Sequence, residues 1–163
     1  MIIETIIEAL KFILPAYCAN ATPVIIGGGK PLDLGKNYKD GRRIFGENKT
    51  FRGFFSGLII GSLVGIAENL FFGYPILFGF ITSLGALTGD LVKSFFKRRM
   101  GLKPGKMLPI ADQLDFVLGA VLFSFFLMPP TLEEFIFLIL FTPPIHLLTN
   151  FFAYLLKLKK EPF

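Results

Sequence analysis

Apolar runs long enough to cross a lipid bilayer follow one another down this chain, and most of its charge is confined to the stretches between them. A bilayer core demands roughly 20 mostly apolar residues per helix, because every backbone polar group must be satisfied without water. Five runs reach or approach that length: Ile2 to Ala21, Phe54 to Phe72, Pro75 to Gly89, Leu114 to Met128 and Phe135 to Leu156. The second and fifth are the clearest. The fourth is short and needs its polar ends at the interface, while the third runs on through Phe96 as a helix leaving the membrane. The 53% hydrophobic content over 163 residues exceeds what a soluble core of that size needs, so the excess must face lipid. The expected fold is all-α, a polytopic membrane protein with about five transmembrane helices and two basic cytoplasmic loops, residues 1–163 forming one integral membrane domain.

The first run is ambiguous, since Glu4, Glu8 and Lys11 share one helical face opposite Ile3, Ile7, Leu10 and Leu14. It either lies in the interface or spans with a polar stripe turned to the bundle. Ala19-Asn20-Ala21 mimics a signal-peptide cleavage site, but the segment opens with Glu where a positive n-region is needed.

Charge fixes the orientation. Lys30, Lys36, Lys39, Arg42, Arg43, Lys49 and Arg52 lie between runs one and two, and Lys93, Lys97, Arg98, Arg99, Lys103 and Lys106 between three and four. The tail adds Lys157, Lys159 and Lys160, whereas the turns at Gly73-Tyr74 and at Pro130 to Glu134 carry no Lys or Arg. The positive-inside rule puts the amino terminus outside, and both basic loops and the carboxyl terminus in the cytoplasm of a cell-membrane protein. A net charge of +5 would also suit nucleic acid, but its distribution in short stretches is that of membrane topology, and no nucleic-acid partner is expected. The single Cys18 excludes a disulfide framework and a multi-cysteine metal site.

Within the runs, Gly53, Gly57, Gly61 and Gly65 form a stripe that lets another helix approach closely. Pro143-Pro144 should bend the fifth run, and His146 and Asn150, one turn apart, read as a hydrogen-bonding pair between helices.

The chemistry lies in Gly89-Asp90-Leu91-Val92-Lys93-Ser94-Phe95-Phe96-Lys97-Arg98-Arg99 and, after a turn, Pro109-Ile110-Ala111-Asp112-Gln113-Leu114-Asp115. On a helix Asp90, Lys93, Ser94 and Lys97 share a stripe, as do Asp112 and Asp115. The short connection makes the two helices antiparallel neighbours, so the stripes meet at one depth near the cytoplasmic boundary. Interfacial capping and salt bridging are the structural explanation. Against it, three aspartates sit at an apolar margin, where a carboxylate is costly unless paired or bound to a cation. Hard oxygen ligands, with one His and one Cys in the chain, point to Mg²⁺ or a similar ion. Such an ion surrounded by Lys and Arg suits a polyphosphate.

The other basic loop contributes Gly46-Glu47-Asn48-Lys49-Thr50-Phe51-Arg52-Gly53, whose Lys and Arg can grip phosphate while Thr50 caps a helix or bonds a phosphate oxygen. Gly27-Gly28-Gly29-Lys30 lacks the spacing of a phosphate loop and reads as a flexible exit from the first run.

These segments, with Pro15-Ala16-Tyr17-Cys18-Ala19-Asn20-Ala21-Thr22-Pro23, resemble the CDP-diacylglycerol synthase superfamily, and most closely its archaeal CDP-archaeol synthase branch. The Ser94-x-x-Lys97-Arg98 run, Lys103 and the closing Asp112-x-x-Asp115 follow the superfamily pattern in order. The bacterial and eukaryotic pattern has an Asp after the equivalent of Lys103, where this chain has Pro104, and a His-Gly-Gly group that is absent here. Both departures favour the archaeal branch over an ester-lipid enzyme.

The resemblance implies transfer of CMP from CTP to 2,3-bis-O-geranylgeranylglycerol 1-phosphate (unsaturated archaetidic acid), giving CDP-archaeol and pyrophosphate, with Mg²⁺ as cofactor in one or two ions. It implies metal ligation by Asp90, Asp112 and Asp115, catalysis by these with Lys93 and Lys97, and phosphate binding by Lys49, Arg52, Lys93, Lys97 and Arg98. Asn20, Thr50, Ser94 and Gln113 are further polar contacts to substrate. A CDP-alcohol phosphotransferase is excluded because Asp40-Gly41 is followed by Arg42-Arg43-Ile44-Phe45 and the acid pair has the wrong spacing. A small cation transporter would place its acids at the bilayer midplane, not at a basic margin.

Overall fold

The computed structural model describes residues 2–103 and 105–158; Pro104, Lys159 and Lys160 lie outside them. Among these residues five helices follow in order: α1 (Ile2–Ile26), α2 (Phe51–Phe72), α3 (Phe78–Arg99), α4 (Ala111–Ser124) and α5 (Leu132–Leu155). Among the described residues there is no strand, only isolated bridges pairing Pro31 with Thr50 and Asn37 with Arg43.

Helix ends differ from the apolar runs for local chemical reasons. α1 passes the expected end at Ala21 and carries Pro15 and Pro23 inside it. It stops where Gly28 and Gly29 take φ of 98° and 82°, values that favour glycine. α2 starts where expected, because the Thr50 hydroxyl accepts the Gly53 N–H at 3.1 Å. α3 begins after Pro75, whose carbonyl accepts the Phe78 N–H in a preceding turn. α5 starts three residues before Phe135, because Thr131 and Glu134 form a capping box. Pro143 and Pro144 lie inside this one helix, and His146 and Asn150 bond each other along it at 3.0 Å.

Glycine sets how closely the helices approach. A Cβ on Gly57 would stand 2.5 Å from the Ala19 carbonyl oxygen, and one on Gly65 2.2 Å from Gly79 Cα, so the α2 stripe packs on both α1 and α3. A second contact joins α3 to α4, where a Cβ on Gly85 or Gly119 would lie 2.3 or 2.2 Å from the other's carbonyl oxygen. These contacts run antiparallel, bringing the end of α1, the start of α2, the end of α3 and the start of α4 to one end of the bundle. Phe12, Phe78, Phe116, Ile13 and Leu138 fill the core.

Among the described residues, α2 and α5 alone combine the length and apolarity to cross a membrane by those criteria. Their apolar side chains are largely unburied, including Ile59, Leu63 and Leu70 on α2 and Leu140, Phe141 and Leu148 on α5. A helix from a soluble core would bury such residues; here they form a surface fit for an apolar solvent.

Candidate functional site

At the shared end of the bundle, the α3–α4 glycine contact continues to Gly89, whose Cβ would stand 2.3 Å from the Asp115 carbonyl oxygen. That closeness brings Asp90 and Lys93 of α3 up against Asp112 and Asp115 of α4. The Lys93 ammonium lies 3.0 Å from Asp90 Oδ1, 3.1 Å from Asp112 Oδ1 and 2.8 Å from Asp115 Oδ2. Lys97 donates to both Asp112 oxygens, at 3.0 and 2.8 Å, and the Leu108 N–H adds a third bond at 2.6 Å. Lys49 reaches in from the first basic loop and pairs with Asp90. Three ammonium groups thus balance three carboxylates, and a partly buried cluster of charge is tolerable only in such balance.

The balance is uneven. Asp90 and Asp112 each meet two lysines, whereas Asp115 pairs with Lys93 alone at 2.8 Å and keeps both oxygens buried. Among the described residues, no three His, Cys, Asp or Glu groups close to metal-ligand spacing. The aspartates instead surround the ammonium of Lys93. The donor set nevertheless fits a hard divalent cation: the oxygens are carboxylate, they converge on one positive centre, and Asp115 is engaged by one lysine where Asp90 and Asp112 each meet two.

The other sequence-derived candidates divide. Thr50 is engaged as the α2 cap. Ser94 and Gln113 are buried on α3 and α4 without joining the ion-pair network, Asn20 is half-buried on α1, and Arg52 is exposed on the first turn of α2. Arg98 is 7% exposed, and its Nε and Nη1 have no hydrogen-bond partner. A narrow cleft lined by Pro23, Asn48, Lys49, Thr50, Leu87 and Asp90 runs beside the cluster.

Sequence reasoning passed over Asp33, which organises the first basic loop. Its carboxylate accepts from Arg43 Nη2 at 2.5 Å and Nε at 3.2 Å, and from the backbone of Gly35, Phe45 and Gly46 at 3.1, 3.1 and 2.9 Å. Burial alone would raise its pKa, but the Arg43 guanidinium and these N–H groups hold it well below the usual carboxylate range. A latch then fastens this loop to α3: Arg42 donates to the carbonyls of Arg98 and Arg99, while Arg99 donates to those of Arg42 and Arg43 and pairs with Asp40 at 2.6 Å. Asp33 follows an apolar residue in a Gly/Lys-rich loop, and only the Asp-x-Gly of an Asx turn marked it.

Comparison with known proteins accords with this geometry. The family model described as CarS-like, CDP-archaeol synthase, matches residues 2–163. A CDP-archaeol synthase of Pyrococcus abyssi is 46% identical over 96% of this chain and 98% of its own length. That of Methanopyrus kandleri is 48% identical over 95% of this chain and 92% of its own. A solved structure described as an intramembrane enzyme for archaeal membrane lipids biosynthesis superposes with a TM-score of 0.83 at 39% identity, covering 88% of this chain and 93% of that one. With α2 and α5 apolar and unburied and an intramembrane enzyme as its structural neighbour, the chain is a membrane protein. It belongs to the CDP-archaeol synthase family.

Proposed function

We propose that this membrane cytidylyltransferase transfers CMP from CTP to the phosphate of 2,3-bis-O-geranylgeranylglycerol 1-phosphate, releasing pyrophosphate, at the cluster where α3 meets α4. The observation that carries the reading is the convergence of Asp90, Asp112 and Asp115 on one positive centre. The family's CTP-dependent activity and its place in archaeal lipid synthesis support it.

The nucleophile is a phosphate oxygen that is already anionic, so no side chain need be acylated or phosphorylated and no proton need be removed. The oxygen attacks the α-phosphorus, the bond to the α–β bridging oxygen breaks, and the electron pair leaves with pyrophosphate. The protein's task is to bring two anions together and neutralise the charge that accumulates. Lys93 and Lys97 carry the cations nearest the reacting groups, Lys49 closes the site from the loop, and Arg52 and Arg98 bind further phosphate oxygens. Asn20, Thr50, Ser94 and Gln113 supply neutral contacts. Asp90, Asp112 and Asp115 would hold Mg²⁺, which when bound would supply charge neutralisation and alignment for the triphosphate.

Residues 1–163 form a single catalytic domain in this reading, with five membrane-spanning helices, the amino terminus outside, and the site and carboxyl terminus at the cytoplasmic face. Supporting this are the antiparallel order of α1 to α4 and the gathering of both basic loops at one end of the bundle.

The deciding experiment incubates purified protein with labelled CTP, Mg²⁺ and a panel of ether-linked and ester-linked lipid phosphates. CDP-lipid should form from the ether-linked acceptor, with ATP and GTP poor donors. Equal turnover with ATP, or preference for the ester-linked acceptor, would reject the reading.

A further inference from the structure

We infer that His146 and Asn150, toward the carboxyl end of α5, form the contact for the glycerol backbone of the acceptor lipid, donating hydrogen bonds to the oxygens that carry its hydrocarbon chains. The inference rests on the cytidylyl-transfer reading above, which gives neither residue a role. α5 runs toward the aspartate cluster. The Thr5 hydroxyl, near the start of α1, donates to the Glu133 carboxylate near the start of α5 at 3.3 Å, and Tyr17 and Thr142 share a hydrogen bond further along at 2.9 Å. The two helices are therefore parallel. His146 and Asn150 follow Thr142 by about one and two turns, toward the end of the bundle where Asp90, Asp112 and Asp115 meet Lys93.

Ring contacts turn this face of α5 to the site. The His146 imidazole meets the Phe116 ring with centroids 6.0 Å apart and planes 30° apart, and Phe116 directly follows Asp115 on α4. Phe116 also meets the Tyr17 ring at 5.6 Å, so α1, α4 and α5 join in one layer of rings beside the cluster. Thr142, His146 and Asn150 succeed one another at intervals of four and share one stripe of α5. Thr142 is fully buried, but among the described residues of α5 none past it is buried. Beyond Pro143-Pro144 the stripe is therefore half-open, and a molecule from outside the bundle can reach it. An imidazole and an amide at membrane depth are costly unless they serve the bundle interior or a substrate.

The hydrogen bond within the pair fixes what it offers. The Asn150 amide donates to His146 Nδ1 at 3.0 Å, so a neutral imidazole carries its hydrogen on Nε2 and presents a donor there. Charge then selects the part of the lipid. The acceptor's phosphate is matched by the lysines of the cluster, and its remaining polar atoms are the backbone oxygens bearing the chains, which are uncharged and only accept. An uncharged donor suits such an oxygen, whereas a cation there would compete with the cluster for the phosphate. Position agrees: the backbone oxygens lie a few bonds from the phosphate, and in the protein the Phe116 ring makes the same short step from Asp115 to His146.

The test gives the purified full chain CTP, Mg²⁺ and one of two acceptors: a glycerol 1-phosphate diether, or a single-chain alkyl phosphate of similar length that lacks the backbone oxygens. Wild type should show the lower KM for the diether. His146→Leu should raise that KM roughly tenfold, the worth of one neutral hydrogen bond, and leave KM for the alkyl phosphate and for CTP unchanged. His146→Gln keeps a donor and should recover most of the loss. Asn150→Ala lets the imidazole take either tautomer and should give a smaller rise on the diether alone, which keeps the test valid if His146→Leu fails to fold. Equal losses on both acceptors, a raised KM for CTP, His146→Gln no better than His146→Leu, or unchanged kinetics in the Leu and Ala variants would overturn the assignment. Wild-type formation of CDP-lipid separates the two levels: turnover in which the variants ignore the backbone oxygens removes this inference alone, and no turnover with either acceptor removes the reading beneath it.

Discussion

Each aspartate of the cluster has a different stake in the fold, and this separates catalysis from stability. Asp90 and Asp112 each contact two lysines, so replacing either by Asn removes structural ion pairs along with a proposed metal ligand. Asp115 pairs with a single lysine, Lys93. Asp115→Asn should therefore retain a near-normal melting temperature while losing on the order of a hundredfold or more in Mg²⁺-dependent turnover, at ~1.4 kcal/mol per factor of ten. An early-melting variant with turnover reduced only in proportion would mark Asp115 as structural. Lys97→Ala should chiefly raise KM for CTP or lipid phosphate. Asp33 makes the opposite case. Its lowered pKa means the stabilisation is fully present above the ordinary carboxylate pKa of about 4 and is lost as pH falls below that toward the folded-state value. Wild type should accordingly show an acid-induced drop in melting temperature that Asp33→Asn lacks, the variant being less stable at neutral pH by ~1–3 kcal/mol. Superimposable pH–melting profiles would refute this.

At the scale of elements, the glycine contacts predict which helix pair carries the activity. Gly57→Ala pushes a methyl group against α1, and Gly89→Ala pushes one against the backbone of Asp115. Both should destabilise by ~1–3 kcal/mol through overpacking. Only Gly89→Ala should lower turnover beyond its effect on the folded fraction, since it separates Asp115 from Asp90; equal residual activity at equal folded fraction would disprove this. The aspartate pair on α4 and the Asp/Lys stripe on α3 were readable from sequence, because helical spacing alone sets which residues share a face and a short turn brings the two faces together. The α5 capping box was also present as Thr-x-x-Glu, but hydropathy drew the boundary at the next apolar run instead. The Asp33 knot and the latch of Arg42 on α3 were not readable in this way. Apart from Gly35, the partners of Asp33 lie 10 to 13 positions away and those of Arg42 on α3 lie 56 and 57 away, across irregular backbone where no period relates one residue to the next.

For the whole molecule, the expected orientation is tested by placing single cysteines in a Cys18→Ser background and labelling sealed cells with an impermeant reagent. Positions 73 and 131 should react and position 42 should not. Reaction at 42 without 73 would invert the orientation. The lysines inside the carboxylate cluster bear on how the protein endures scarcity. Because Lys93 already stands among Asp90, Asp112 and Asp115, the bundle carries its own counterion and does not depend on a divalent ion to hold α3 and α4 together. Chelation should silence turnover while leaving the melting temperature within a degree or two of its starting value, and readdition of Mg²⁺ should restore the rate without a refolding lag. A cell short of magnesium would then hold an idle synthase, not a degraded one, and lipid synthesis could resume as soon as the ion returned.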